Sequence, residues 1–186
     1  IDWARTPEGG ALLLPWPVGP GTLSVRHEGA GRPWLTVQSL AAVPLKAAVN
    51  AGYALTRTVT AVSQQQPGRW SRGDVMRVRL QIDAQADLGW VAMSDPVPGG
   101  ATLLGDGGGR DSAIAARADR PDAGAAPTFV ERGAEAFRAY WQQLPGGRHE
   151  ISYTLRLNNP GRFSLPPTRV EAMYAPDRFA ELPNAP

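Results

Sequence analysis

The chain has 186 residues, 42% of them hydrophobic, enough to bury the core of one large domain or two small ones. Gly (21) and Pro (18) are abundant and charged residues make up only 19%, which favours many turns over long helices; a net charge of +2, with Arg interleaved among acids, argues against a nucleic-acid partner. Without cysteine there is no disulfide framework, thiol nucleophile or Cys-based thioester in this chain, and no apolar run approaches the ~20 residues of a membrane-spanning helix.

The chain opens on Ile1-Asp2-Trp3 without an initiating Met, as expected for a piece of a longer protein. A Pro-rich entry, Leu14-Pro15-Trp16-Pro17, leads to strands expected at 22–28 and 34–40. So few strands cannot bury a stable core alone, so residues 1–49 read as the remnant of a neighbouring β domain, with a boundary near 46–52. Residues 50–186 have the length of a complete antiparallel β-sandwich. A strand is expected at 53–62. The clearest alternation follows at 75–83, with Met76, Val78, Leu80 and Ile82 facing one way and Arg77, Arg79, Gln81 and Asp83 the other. Weaker strands are expected at 90–93 and 101–104. Residues 105–127, rich in Gly, Ala and Asp, read as a long mobile loop with a short strand near 112–116.

Residues 129–143 fit a helix by propensity, or a strand with Phe137, Ala139 and Trp141 on one face; the β context and Pro145 favour the strand. A second clean alternation runs from His149 to Leu157, with His149, Ile151, Tyr153, Leu155 and Leu157 on its apolar side. A last strand is expected at 169–174. Turn signals punctuate the series: Pro67-Gly68, Pro98-Gly99-Gly100, Pro145-Gly146-Gly147 and Asn159-Pro160-Gly161. The whole reads as all-β, a sandwich or barrel.

Chemistry is sparse. The two histidines, His27 and His149, lack the spacing of metal ligands. Asp106-Gly107-Gly108-Gly109-Arg110-Asp111 lacks the ligand alternation of a Ca²⁺ loop and the Lys-Ser/Thr of a phosphate loop. No serine sits in a nucleophile elbow. The acid pairs Glu131/Glu135 and Asp83/Asp87 read as solvated strand ends rather than glycosidase carboxylates. Core packing is the default for the dispersed Trp residues. The residues therefore point to no catalytic group, no cofactor and no metal, and leave a structural or adhesive Ig-like sandwich of an exported bacterial protein as one reading and a carbohydrate-binding module as another.

Three stretches resemble the C-terminal portion of the bacterial α2-macroglobulin family. They are Gly21-Thr22-Leu23-Ser24-Val25 with Gly31-Arg32-Pro33-Trp34-Leu35; Gly73-Asp74-Val75 through Leu80 with Trp90-Val91-Ala92-Met93-Ser94-Asp95-Pro96; and, most specific, Pro166-Pro167 followed by Glu171-Ala172-Met173-Tyr174-Ala175-Pro176. The resemblance implies a final macroglobulin-like sandwich of the receptor-binding-domain type at 50–186, preceded by the C-terminal half of a split β domain at 1–49. Family members trap proteases: a bait region is cut, the molecule rearranges and the protease is held, in some members through a thioester. Neither bait region nor thioester motif occurs here. The implied role is a non-catalytic domain that packs on other domains of the same polypeptide and helps lock the inactive state, with proteases met only through the full-length protein. A Met and adjacent aromatic groups of the final domain shield the reactive bond in thioester members. The matching positions are Met173 and Tyr174, the expected interdomain contact; alternation would turn Tyr174 inward with Val170 and Ala172, and Met173 outward. The resemblance further implies a periplasmic location and association with the inner membrane and partner proteins there.

Overall fold

A computed structural model describes residues 2, 5–41, 44–105 and 123–184. The chain divides into two units, 1–42 and 43–186.

Among the described residues of the first unit no side chain is buried and no strand forms. The strands expected at 22–28 and 34–40 are absent. The reason is physical: a strand leaves a row of unmet N–H and C=O groups unless a partner supplies a ladder. The described tie across this unit is Trp16 Nε1–H, which donates to Leu40 O at 2.7 Å.

The second unit is an antiparallel β-sandwich of ten strands among its described residues, with no helix. They are β1 (Val49–Ala51), β2 (Tyr53–Ser63), β3 (Val75–Ala84), β4 (Leu88–Pro96), β5 (Ala101–Leu104), β6 (Phe129–Arg132), β7 (Ala136–Leu144), β8 (Gly147–Leu157), β9 (Thr168–Ala172) and β10 (Ala175–Leu182). One sheet has the order β1-β10-β9-β4-β7-β6, the other β2-β3-β8-β5. Gly52 joins β1 in the first sheet to β2 in the second. Its φ of +92° is left-handed, and a Cβ there would lie 2.9 Å from Arg178 Cδ, so only glycine turns this corner without strain.

Alternation built the core. Val78, Leu80 and Ile82 of β3 and Ile151, Tyr153 and Leu155 of β8 face Val91 and Met93 of β4, Phe137, Ala139 and Trp141 of β7 and Val170 of β9. Phe137 and Tyr153 stack across the two sheets, centroids 4.4 Å apart. The ambiguous stretch 129–143 is the hairpin β6–β7, with Phe137, Ala139 and Trp141 inward. β10 was not expected, because Pro176-Asp177-Arg178 breaks the pattern. The ladder with β9 shifts register between Ala175 and Phe179, so the proline occupies the irregularity, where no N–H is needed. Of the loop expected at 105–127, residues 106–122, with the short strand near 112–116 and the Asp106–Asp111 run, lie outside the described residues. The described end at 123–127 is bonded across both sheets.

Core packing as the default for Trp holds for Trp141 alone among the described ones. Trp16, Trp34, Trp70 and Trp90 are exposed, and Trp3 lies outside the described residues.

Candidate interdomain contact surface

β9 ends at Ala172, and Ala172 pairs with Ala175 across a two-residue turn made of Met173 and Tyr174. Alternation stops there. Tyr174 is therefore not turned inward with Val170 and Ala172; it is 79% exposed, and Met173 is 55% exposed. Nothing in the turn's composition announces it, since neither residue is a Gly, Asn or Asp.

The turn is held against β4. Met173 N–H donates to Trp90 O at 2.8 Å, and the Trp90 and Tyr174 rings meet edge to face, centroids 6.3 Å apart. Trp90 has φ +54°, a left-handed conformation that a bulky side chain adopts only under constraint, at a cost on the order of 1–3 kcal/mol. The indole is 52% exposed, so burial of its ring does not account for that cost. Across β7 and β6 the same face carries Tyr140 and Phe129, which are register partners and stack at 6.0 Å. Trp90, Met173, Phe129, Tyr140, Thr128 and Gln142 line a groove of about 340 Å³ that opens on solvent.

Charge frames this apolar end. Glu131 accepts from Arg138 Nη1–H at 2.7 Å and from Tyr140 O–H at 3.1 Å. Burial, reinforced by the Glu131 bond and charge and opposed by Arg138, raises the Tyr140 pKa, so the phenol stays protonated. On β9, Arg169 bonds Glu171 and Glu181 and covers the Phe179 ring. Aromatics and a flexible thioether surrounded by paired charges make a surface suited to covering by another protein surface.

Behind this face lies a polar clasp between the sheets. Asp95 of β4 is fully buried. It accepts from Arg57 Nε–H of β2 at 3.1 Å on each oxygen, from Tyr153 O–H of β8 at 2.6 Å, and from Thr168 O–H of β9. Burial works against the Arg57 charge, but Asp95 and then Tyr153 outweigh it and hold its pKa above the ordinary value. Burial, with the Asp95 charge and bond added, pushes the Tyr153 phenol well up. With Tyr153 protonated and donating, the clasp ties both sheets together.

Met173 and Tyr174 are thus brought together, with Trp90, Phe129 and Tyr140, which were not singled out as a site from the sequence. The inward-facing run Val91, Met93, Asp95 on β4 was the available signal for the clasp. Neither histidine sits in a metal cluster, and among the described residues no group of three His, Asp or Glu side chains could hold an ion.

A family model described as the bacterial α2-macroglobulin MG10 domain matches residues 52–177. A curated α2-macroglobulin homolog from Nostoc is 28% identical over 116 residues, covering 61% of this chain and 6% of the relative's length. Among solved structures, native Escherichia coli α2-macroglobulin spanning domain MG7 to the C-terminus superposes with a TM-score of 0.55 at 19% identity, over 76% of this chain and 24% of that one. The trypsin-activated form of the Escherichia coli protein gives 0.58 at 19% identity, over 75% and 10%. At that identity the superpositions speak for the fold alone.

Proposed function

The chain belongs to the bacterial α2-macroglobulin family by its MG10 domain, and from that premise we propose that it is a non-catalytic packing domain of a protease trap. It spans only a small part of the relatives it matches, so trapping itself belongs to the full-length protein. In this reading the domain lies against neighbouring domains of its own polypeptide through Trp90, Met173 and Tyr174, and helps hold the trap in its inactive state. The observation that carries it is the groove. A strained Trp90 backbone and a hairpin turn present large apolar side chains outward, where an isolated domain gains nothing from them. Proteases are met through the full-length molecule, in the periplasm, with inner-membrane partner proteins nearby.

Hydroxyl-radical footprinting tests the reading directly, because Met, Trp and Tyr react readily when open to solvent. Oxidation of Met173, Trp90 and Tyr174 is expected to be high in this chain by itself and several-fold lower in the intact trap before cleavage. Equal oxidation in both would remove the interdomain contact. Met173→Ala in the intact protein is expected to loosen the domain against its neighbour while leaving this chain's own melting temperature unchanged.

A further inference from the structure

A short strap closes the side of the sandwich between β8 and β7. Ala123 O accepts from Glu150 N–H of β8 at 2.9 Å. Ala125 O accepts from the indole Nε1–H of Trp141 on β7 at 3.0 Å. Thr128 N–H then donates to Tyr140 O at 2.7 Å, and Thr128 Oγ1 accepts from Gln142 N–H at 3.1 Å. The strap thus joins the two sheets through backbone bonds, and its Thr128 end lines the aromatic groove.

At the centre of this strap stands His149, 5% exposed. Its two ring nitrogens are held by two backbone groups whose roles are fixed. Ala125 N–H lies 2.9 Å from Nδ1 and can only donate, so Nδ1 must offer a lone pair. Pro145 O lies 2.7 Å from Nε2 and can only accept, so Nε2 must carry the hydrogen. The bonds therefore demand the neutral Nε2–H tautomer. A proton added at Nδ1 would set two N–H groups head to head at 2.9 Å and abolish the bond that seats Ala125. Gly124 makes the approach feasible. It has φ +84°, and a Cβ there would come within 2.6 Å of Arg148 O and crowd the imidazole.

Among the described residues, the charged groups at this end of the sandwich are Arg148, paired with Asp83 of β3; Glu150 on the next position of β8; and Asp87 in the β3–β4 turn, which accepts Gly146 N–H. The described residues of the strap bring no ionisable side chain, and the facing residue on β3 is Ile82. Both ring nitrogens are saturated by backbone, and among the described residues no carboxylate is in bonding position to welcome the imidazolium.

We propose that His149 is a proton-operated latch: neutral, it seats the strap across the two sheets; protonated, it releases Ala125 and frees the Trp141 indole. This device stands whatever the aromatic groove contacts. The test is amide exchange on this chain between pH 7.5 and 5.5, the range in which imidazoles take up a proton, expressed as protection relative to an unstructured peptide at each pH. The Ala125 amide and the Trp141 indole N–H are expected to lose at least about tenfold in protection across that range while the Val78 amide of β3 keeps its own. His27→Gln should leave this profile intact. His149→Gln should give a flat profile, and Gly124→Ala low strap protection at every pH. A flat profile in the unsubstituted chain overturns the latch, and that measurement decides the matter even if His149→Gln fails to fold. A pH-dependent loss that persists in His149→Gln overturns it equally, by assigning the proton to another group.

Discussion

Replacing Asp95 by Asn keeps the side chain's size and opens no cavity, so it isolates the polar clasp. The carboxylate collects three donors from three other strands: Arg57, Tyr153 and Thr168. An amide returns a single acceptor oxygen and turns two N–H groups towards partners that themselves donate. Breaking a buried ion pair by removing one partner costs about 3–5 kcal/mol. Here Arg57 keeps 15% of its side chain exposed against none for Asp95, so it can recover some water. The low end, about 3 kcal/mol, is therefore expected, equivalent to a fall of roughly 10 °C in melting temperature for a sandwich of this size. Urea or thermal unfolding of Asp95→Asn measures it. Arg57→Met alone should also destabilise, by stranding the carboxylate, whereas the double substitution removes both charges and should cost clearly less than the two singles summed. A loss under about 1 kcal/mol for Asp95→Asn, or strict additivity in the cycle, would refute the clasp as a coupled unit.

Core truncations should separate the faces: Leu80→Ala and Leu155→Ala should each cost about 2–5 kcal/mol in urea unfolding, and Arg79→Ala, on the exposed face, under about 1 kcal/mol. Tyr53 is buried with a hydroxyl that has no hydrogen-bond partner among the described residues, and burial pushes its pKa up to about 12. The folded state therefore holds that proton more tightly than the unfolded chain does; the associated stability is complete below pH 10 and drains away as pH rises towards 12. Tyr53→Phe should leave stability at pH 7 unchanged or slightly raised, and should shrink the alkaline loss measured by denaturation at pH 9 and pH 11. Met173→Ala and Tyr174→Ala in this chain should each shift the urea midpoint by less than about 0.5 kcal/mol equivalent, because both side chains stand in a solvent-facing turn.

Strands β3, β7 and β8 were readable because each keeps its apolar side chains on one face, which writes a period of two into Met76–Ile82, Phe137–Trp141 and His149–Leu155; in β8 the opposite face is buried as well, but by the small polar Ser152 and Thr154. β10 was not, because its signal is cut by Pro176 at a register shift. Residues 22–28 and 34–40 show the converse error: β-like composition without a partner strand yields no strand. Met173 and Tyr174 were reachable only through resemblance. Trp90 on β4 is far in sequence from the β6–β7 hairpin that carries Phe129 and Tyr140, and only sheet order brings them to one groove. Asp95 was hidden for a similar reason, since a carboxylate in an inward register looks like a pattern defect until Arg57, Tyr153 and Thr168 are seen to meet it.

The pairing of β1 with β10 sets Val49 against Glu181, so the first strand of the sandwich is completed by the last. Closing a loop of roughly 130 residues costs about 4 kcal/mol of chain entropy before three residue pairs repay it. That contact should form late, after the β2–β3 and β6–β7 hairpins and the pairing of β8 with β3 and of β7 with β4 have assembled most of the core. On a ribosome, β1 emerges first and waits unpaired until β10 is made, an interval in which its strand edge is open to other chains. The geometry also leaves the entry and exit of the sandwich side by side on one sheet edge. A domain hung from adjacent strands transmits a pull on either end directly into the β1–β10 ladder, which would peel pair by pair rather than shear as a block, making this seam the mechanical weak point of the fold.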